Sequence, residues 1–369
     1  MKYSNLLLTA AAGLLATACS SDRDVNDGLA DRQQQEAPVE IRLGSSLNAV
    51  TRAYTATQGN EIAANELIWA WIDDAGEATA TPAINASEHV KAWQVKAAAL
   101  ATGETAQALN SVGTTKYYYP YSGRNINVYA LHGNFNNTPP DGSTPWDTFK
   151  ASLTHSVTAD QTVSGNYEKS DLFCAHKLNQ SKSTTKIELP FKHVLSKVEV
   201  YLFRGNGVEA ADLAAAKISS VTILNTKLVG DITLTKPSAS STANVASAAV
   251  QTSATATAIK MKLQTNASGE EKSDFTPPTG LTDKKAYVYG EAIIIPQTVG
   301  DPTASPVTTE KFISVNFAAG GSLEAKIAQK FEAGKKYVFY ITVNRTDLTL
   351  TATLSDWTSS GSPISGTAE

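Results

Sequence analysis

Apolar and polar residues alternate with period two along much of this chain, the pattern of strands with one buried face. Val39, Ile41 and Leu43 alternate with Glu40 and Arg42, and Leu47 and Val50 extend the pattern. Glu66–Asp74 predicts a stronger strand, with Trp69 and Trp71 on one face. Residues 115–121 and 126–132 predict a hairpin around Ser122, Gly123, Arg124 and Asn125. The intervening 75–114, rich in Ala, Thr, Gly and Asn, predicts irregular structure, and 134–145, with Pro139, Pro140 and Gly142, predicts a loop.

The pattern strengthens near residue 185, where a domain boundary is placed. Ile187, Leu189, Phe191, His193 and Leu195 share one parity; Val198, Val200 and Leu202 share the other. Such a switch inside one long strand predicts a bulge near Ser196–Lys197 that re-aims the strand between sheets. Ala210–Ala216 predicts one or two helical turns, the single helix of the reading. Strands follow at 218–235, 258–264, 285–295, 311–318, 322–328, 337–344 and 346–354, with Asp356 and Trp357 after them. Segment 236–257 reads as Ser/Thr/Ala low complexity and 268–283 as loop. Many short strands between turn residues make the chain all-β, closed as sandwiches.

The first residues do not fit that pattern. Lys2 precedes an apolar run, Leu6–Leu15, too short to span a bilayer as a helix, and small residues then lead to Cys19. A cysteine after small residues at the end of such a run resembles the lipobox of bacterial lipoproteins, with Ala16 in place of its usual Leu. Residues 1–18 are assigned as signal peptide and Cys19 as the lipidated residue, the alternative being a plain secretory signal in which Cys19 is incidental. Residues 20–38 are polar and acidic, a tether. A lone basic residue, Arg52, follows the first strand and precedes Ala53, where a trypsin-like protease could cut.

Composition narrows the function classes. At 369 residues the chain exceeds one ordinary domain, and 42% hydrophobic residues suffice for a sizeable core. A formal charge of -4 argues against a nucleic-acid partner. The two cysteines, Cys19 and Cys174, form no disulfide framework. The five histidines, His89, His132, His155, His176 and His193, form no paired ligand motif. Cys174 and His176 share a strand face, but no local pair completes a metal site. His193 alternates with Phe191 and Leu195 and reads as a core histidine. No catalytic residue, metal or cofactor is expected, and the chain reads as non-enzymatic.

Several segments together carry a family resemblance. Asp171-Leu172-Phe173-Cys174-Ala175 and Leu189-Pro190-Phe191-Lys192-His193-Val194-Leu195-Ser196-Lys197-Val198 resemble the central signature of the fimbrillin family, the type V pilins of Gram-negative bacteria. Ile293-Ile294-Ile295-Pro296-Gln297, Ala333-Gly334-Lys335-Lys336-Tyr337 and Leu354-Ser355-Asp356-Trp357 follow in the family's order. The resemblance implies two tandem transthyretin-like β-sandwich domains, here 53–185 and 186–369, after a lipidated propeptide, 19–52. It implies export to the outer membrane as a lipoprotein and cleavage after Arg52 by a trypsin-like protease. Removal of the strand that carries Val39, Ile41, Leu43, Leu47 and Val50 follows, and the groove is filled by a strand of another pilin subunit. Burial of those five side chains amounts to on the order of 5–10 kcal/mol, comparable to a domain's net stability. Leu348, Leu350, Ala352 and Leu354 alternate as a candidate donor strand. The implied product is a fimbrium that supports adhesion. The alternative is a surface lipoprotein that anchors the pilus or binds glycans through Trp93, Trp146 and Tyr117–Tyr119.

Overall fold

The computed structural model describes residues 37–46, 62, 67–74, 93–98, 106–112, 116–121, 123–135, 153–205, 218–235, 237, 244–263, 286–318, 320–344, 348–357 and 364–366. The strands of the first half are β1 (Leu43–Ser46), β2 (Leu67–Asp74), β3 (Trp93–Ala97), β4 (Ala106–Ser111), β5 (Ile126–His132) and β6 (Thr154–Ser156). A one-turn helix, α1 (Asn166–Ser170), precedes β7 (Phe173–Gln180), β8 (Ile187–Pro190), β9 (Lys192–His193) and β10 (Ser196–Arg204). Then come β11 (Ile218–Lys227), β12 (Val229–Leu234), β13 (Ala246–Val250), β14 (Ala256–Lys260), β15 (Lys262–Leu263), β16 (Ala286–Ile294) and β17 (Thr298–Val299). The last are β18 (Glu310–Phe317), β19 (Ser322–Ile327), β20 (Gln329–Lys330), β21 (Lys335–Val343), β22 (Leu348–Asp356) and β23 (Ile364–Gly366).

These strands form an eight-stranded sheet, β8-β1-β4-β3-β2-β5-β7-β9, drawn entirely from residues 43–193. A six-stranded sheet, β15-β16-β10-β21-β22-β23, and a four-stranded sheet, β14-β11-β18-β19, are built from residues 196–366. A three-stranded sheet, β13-β12-β6, takes β6 from the first half, and β17 pairs with β20.

The eight-stranded sheet is covered on both faces in its centre. Ile68 and Ala70 of β2, with Ile126, Val128 and Ala130 of β5, enter one apolar cluster. Trp71, Tyr129 and Leu131, of opposite parity, enter the other, with Trp69 packed against it. This is why every residue of β5 is buried although the strand is antiparallel to both neighbours. The second cluster continues through Val198, Val200 and Leu202 of β10 to Ile313 and Val315 of β18 and Phe339 and Ile341 of β21.

Residues 187–204 are not one strand. They form three strands in two sheets: β8 pairs with β1, β9 with β7, and β10 with β16 and β21. The parity change is a passage between sheets at Val194–Leu195, and the bulge within β10 lies later, between Val200 and Tyr201. The expected hairpin is also corrected. β5 pairs with β2 and β7, whereas Tyr118 bridges Glu40 and Ile41 N–H donates to the Tyr117 carbonyl at 2.8 Å. Short loop length suggested local pairing, but tertiary pairing with the first strand prevails. Segment 75–114 holds β3 and β4, and the low-complexity run holds β13. Residues such as Ala, Ser and Asn, which carry little strand signal, explain the misses of β4 and β13. β3, with Trp93 and Val95 on one parity, does carry the signal, but the run is short and sits among Ala-rich residues. The helix expected at 210–216 lies outside the described residues; α1 arises instead at Asn166–Ser170, entered through Gly165 at φ 82°.

Segment 153–172 ties the two halves of the sequence together. Gln161 Nε2 donates to the Ile293 carbonyl and its Oε1 accepts from Ile293 N–H, both at 2.9 Å. His155, fully buried, accepts at Nδ1 from Asn134 N–H (3.0 Å), so its Nε2 carries the proton and donates to the Ser170 carbonyl (2.9 Å). Burial lowers its pKa from 6.5 to about 4, against opposing contributions from the Ser170 carbonyl and Asp171 and a reinforcing one from His132.

Phe191 is fully buried, edge-on to Phe173 at 5.3 Å between ring centroids. Phe191→Ala should lower unfolding free energy by about 3–5 kcal/mol in denaturant titration; an unchanged midpoint contradicts the seam described below. His155 gives a pH signature. Between pH 6.5 and about 4 the unfolded chain takes up a proton that the folded chain refuses. Stability is therefore full above 6.5 and falls with pH through that window, by on the order of 3 kcal/mol. His155→Gln should remove that part of the pH dependence of the melting temperature, whatever its effect at pH 8.

Candidate functional site

The two edges of the eight-stranded sheet, β8 and β9, are consecutive in the chain and separated by Phe191 alone. A single residue cannot cross a flat eight-stranded sheet, since strands are about 4.8 Å apart. The sheet therefore rolls until its edges meet, and β8 packs beside β7. Phe191 fills that seam. Next to it, His193 Nδ1 lies 3.0 Å from Asp171 Oδ2, and its ring stacks on Trp357 at 3.6 Å between centroids and 5° between planes. Trp357 N–H in turn donates to the Gly334 carbonyl, and Gly334 N–H to the Leu195 carbonyl.

β1 lies one strand in from this seam. It is antiparallel to β4, Leu43 opposite Leu109, and parallel to β8, Leu43 opposite Ile187. Just before it, Tyr119 N–H donates to the Val39 carbonyl (3.0 Å) and Ile187 N–H to the Arg42 carbonyl (2.8 Å). Ile41 and Leu43 are buried in the cluster with Leu109, Tyr119, Ile187, Leu189 and Phe191, and Val39 packs against it. Arg42 and Glu40 turn outward, Glu40 to Lys116 at 3.0 Å. Beneath the strand a buried Gln107 acts as a clasp. Its Nε2 donates to the Ile62 and Ala98 carbonyls and its Oε1 accepts from Ile62 N–H, all at 2.8 Å. Ser45 Oγ reaches the same oxygen at 3.4 Å.

Of the five apolar positions expected in the first strand, Val39, Ile41 and Leu43 meet in this seat; Leu47 and Val50 lie outside the described residues, as do Cys19, Arg52 and Ala53. The three placed side chains correspond to on the order of 5 kcal/mol of apolar burial. Withdrawal of residues 39–46 would leave backbone donors and acceptors of β4, β8 and 117–119 facing an apolar slot. The candidate donor residues Leu348, Leu350, Ala352 and Leu354 lie in β22, opposite Val343, Ile341, Phe339 and Tyr337 of β21, with β23 on its outer side. Sequence reasoning missed Gln107 and the Asp171–His193–Trp357 contact. The Leu-Pro-Phe-Lys-His run could have signalled the second, since Pro190 interrupts the strand where the edges meet.

The titratable groups serve the core. Cys174 is buried, and burial pushes its thiol up to about 11, so it is neither a nucleophile nor a ready ligand. Among the described residues no group of three His, Cys, Asp or Glu is placed to hold a metal ion. Lys197 lies 2.9 Å from Glu199 and 2.5 Å from Glu291. Burial alone would lower its pKa, but Glu199 and Glu291 outweigh that and raise it well above the usual lysine value. It is held as a cation in a closed ion network, not as a base. Tyr118 and Tyr121 are exposed; Trp93's side chain and Trp146 lie outside the described residues.

The sequence profile of the family described as Fimbrillin-like matches residues 51–357. No curated protein matches the sequence. Among solved structures, a candidate cell adhesion protein from Bacteroides ovatus ATCC 8483 is 16% identical with a TM-score of 0.53, the match covering 88% of this chain and 99% of that one. A second candidate cell adhesion protein, from Bacteroides uniformis ATCC 8492, is also 16% identical with a TM-score of 0.50, covering 86% of this chain and 98% of that one. At that identity the likeness is one of fold: both chains share the all-β sandwich architecture. The family match spans most of the chain, and the chain belongs to the Fimbrillin-like family.

Proposed function

We propose that this chain is a structural subunit of a surface pilus, made as a lipoprotein precursor and polymerised by strand exchange. The observation that carries the reading is the position of β1, a strand held between β4 and β8 beside the sheet's seam. A strand at an outer edge would leave no groove when lost. A strand in mid-sheet would split the domain. β1 does neither, because β8 remains covalently tied through Phe191 to β9 on the far edge. The vacated slot keeps both walls and its apolar floor, and a strand of a neighbouring subunit can occupy it by β-augmentation.

In this reading Cys19 carries lipid and holds the precursor at the outer membrane, with residues 20–38 as tether. A trypsin-like protease cuts between Arg52 and Ala53. Arg42, the other basic residue nearby, has its carbonyl bound by Ile187 N–H and belongs to a paired segment, which protects it. The donor comes from the C-terminal region, for which β22 is the candidate by pattern. The role is structural and non-enzymatic and supports adhesion.

Limited proteolysis and electron microscopy test the scheme. Trypsin should cut first after Arg52, and the fragment from Ala53 onward should assemble into filaments. Arg52→Ala should block cleavage at that site and filament formation while leaving the melting temperature in place. Mass spectrometry of the membrane fraction should find an acylated Cys19 on the uncut chain. Filaments of normal length from the Arg52→Ala protein would overturn strand removal and favour the lipoprotein anchor.

A further inference from the structure

Open sheet edges attract strands of other chains, and proteins blunt them with charge, proline, brevity or cover. Nearly every edge in this fold is blunted. β8 carries Glu188 and ends in Pro190, and β19 presents exposed Glu324 and Lys326. β6 is bridged on its outer side by Phe135 at His155, and β14 by Asp160 at Lys260. β9, β15, β17 and β20 are two residues long and β23 three.

β13 is the exception among the described residues. Its five residues, Ala246-Ser247-Ala248-Ala249-Val250, pair with β12 on one side only. No charged residue occurs from Pro237 to Ile259, in a chain that is 18% charged. Asp231, on β12 opposite Ala249, is taken by Gln251 Nε2 at 2.7 Å, and the Lys227 ammonium lies past the end of the strand, on the Thr252 carbonyl at 3.0 Å. The bonds Thr235 N–H to Val245 carbonyl and Gln251 N–H to Val229 carbonyl fix the phase of the ladder. By antiparallel alternation, Ser247 and Ala249 direct their backbone groups to β12 and the even-numbered residues direct theirs outward. Ala246 lies against the Cys174 thiol. The outward positions beyond it are Ala248 and Val250.

We propose that β13 is a self-association edge at which a second copy of this chain pairs antiparallel, with Ala249 on the two-fold axis. In this register Ala248 of each copy meets Val250 of the other, and each such pair exchanges two main-chain hydrogen bonds. Ala249 then faces its own symmetry mate at a non-hydrogen-bonded position, where Cα atoms approach to about 4.5 Å. That close approach suits a small side chain, and Ala249 is exposed. An isologous contact must be complementary to itself. A charge-free edge meets that condition, whereas a charged edge repels its copy. The contact is independent of cleavage and of the β1 groove, so copies would pair side by side as well as along a filament.

The test uses the full chain as the Cys19→Ser, Arg52→Ala protein, which neither carries lipid nor loses β1. Sedimentation velocity over a concentration series should show a reversible monomer–dimer equilibrium. Ala249→Lys places like charges opposite one another and should weaken dimerisation at least tenfold with the melting temperature unchanged. Ala249→Cys should oxidise readily to a covalent dimer across the axis, and Ser247→Cys should not. A chain monomeric at every concentration, a dimer indifferent to Ala249→Lys, or equal cross-linking from Ser247→Cys would each overturn the proposal. Because this protein cannot be cut at residue 52, the result is separate from whether Arg52 cleavage drives filament growth.

Discussion

The fold depends on one covalent constraint: Phe191 joins the two edges of an eight-stranded sheet. Everything around it accommodates that short link. The sheet must roll, and rolling creates an interior that Phe191 fills together with Phe173, Leu189 and Ala175. Rolling also brings His193 to the start of the second half of the chain. There its ring is gripped between Asp171 and the face of Trp357, and Trp357 is tied to Gly334 and Leu195 by main-chain bonds. Gly334 sits at φ 70°, and a Cβ there would come within 3.3 Å of the His193 carbonyl. Tight turn, stack and hydrogen bond therefore converge on one point.

Under the proposed strand exchange, that constraint separates what the first strand adds to stability from what its walls need. β1 contributes burial and two ladders of hydrogen bonds, so its loss is costly. Yet it is not needed to hold its own walls in place. β4 remains bonded to β3, and β8 remains tied through Phe191 to β9, which pairs with β7. Gln107 supports the floor from β4 by bonds to Ile62 and Ala98 that do not involve β1. Loss of the strand would thus leave a shaped acceptor and not a collapsed sheet. The thermodynamic drive to refill it is the same apolar burial and backbone pairing that was lost.

Much of this was legible in the sequence, and for identifiable reasons. Strands with branched or aromatic residues on a fixed parity, such as β2, β16, β18 and β21, stand where the alternation put them. Strands rich in Ala, Ser and Asn, such as β4 and β13, were invisible because those side chains lack a strong strand preference. The parity switch after His193 was visible, but its meaning was not. A bulge and a passage between sheets leave the same alternation, and only the pairing partners, Phe173 for His193 and Ile294 for Ser196, distinguish them. In the site, the apolar face of the first strand could be read directly. The Gln107 clasp could not, because a lone glutamine gives no sign of the carbonyls it will meet.

Pairing also bears on which C-terminal segment could be donated in the proposed exchange. β22 is opposed to β21 over its whole length, from Lys335 with Asp356 to Val343 with Leu348. Its apolar residues pack against the main core, and it ends at the Trp357 stack. β23 holds on by three positions, Ala352 with Gly366 to Leu354 with Ile364. Release of β22 would uncover Phe339 and Ile341 in the donor itself, so exchange through β22 is close to neutral: what the acceptor gains the donor loses. In β23 Ile364 is the one large apolar residue, enough for only one of the positions that Val39, Ile41 and Leu43 occupy. A polymer that is stable as well as readily formed therefore calls for a donor register in which the segment after Trp357 initiates pairing and part of β22 follows. In such an exchange the Trp357–His193 stack would sit at the division between those two steps.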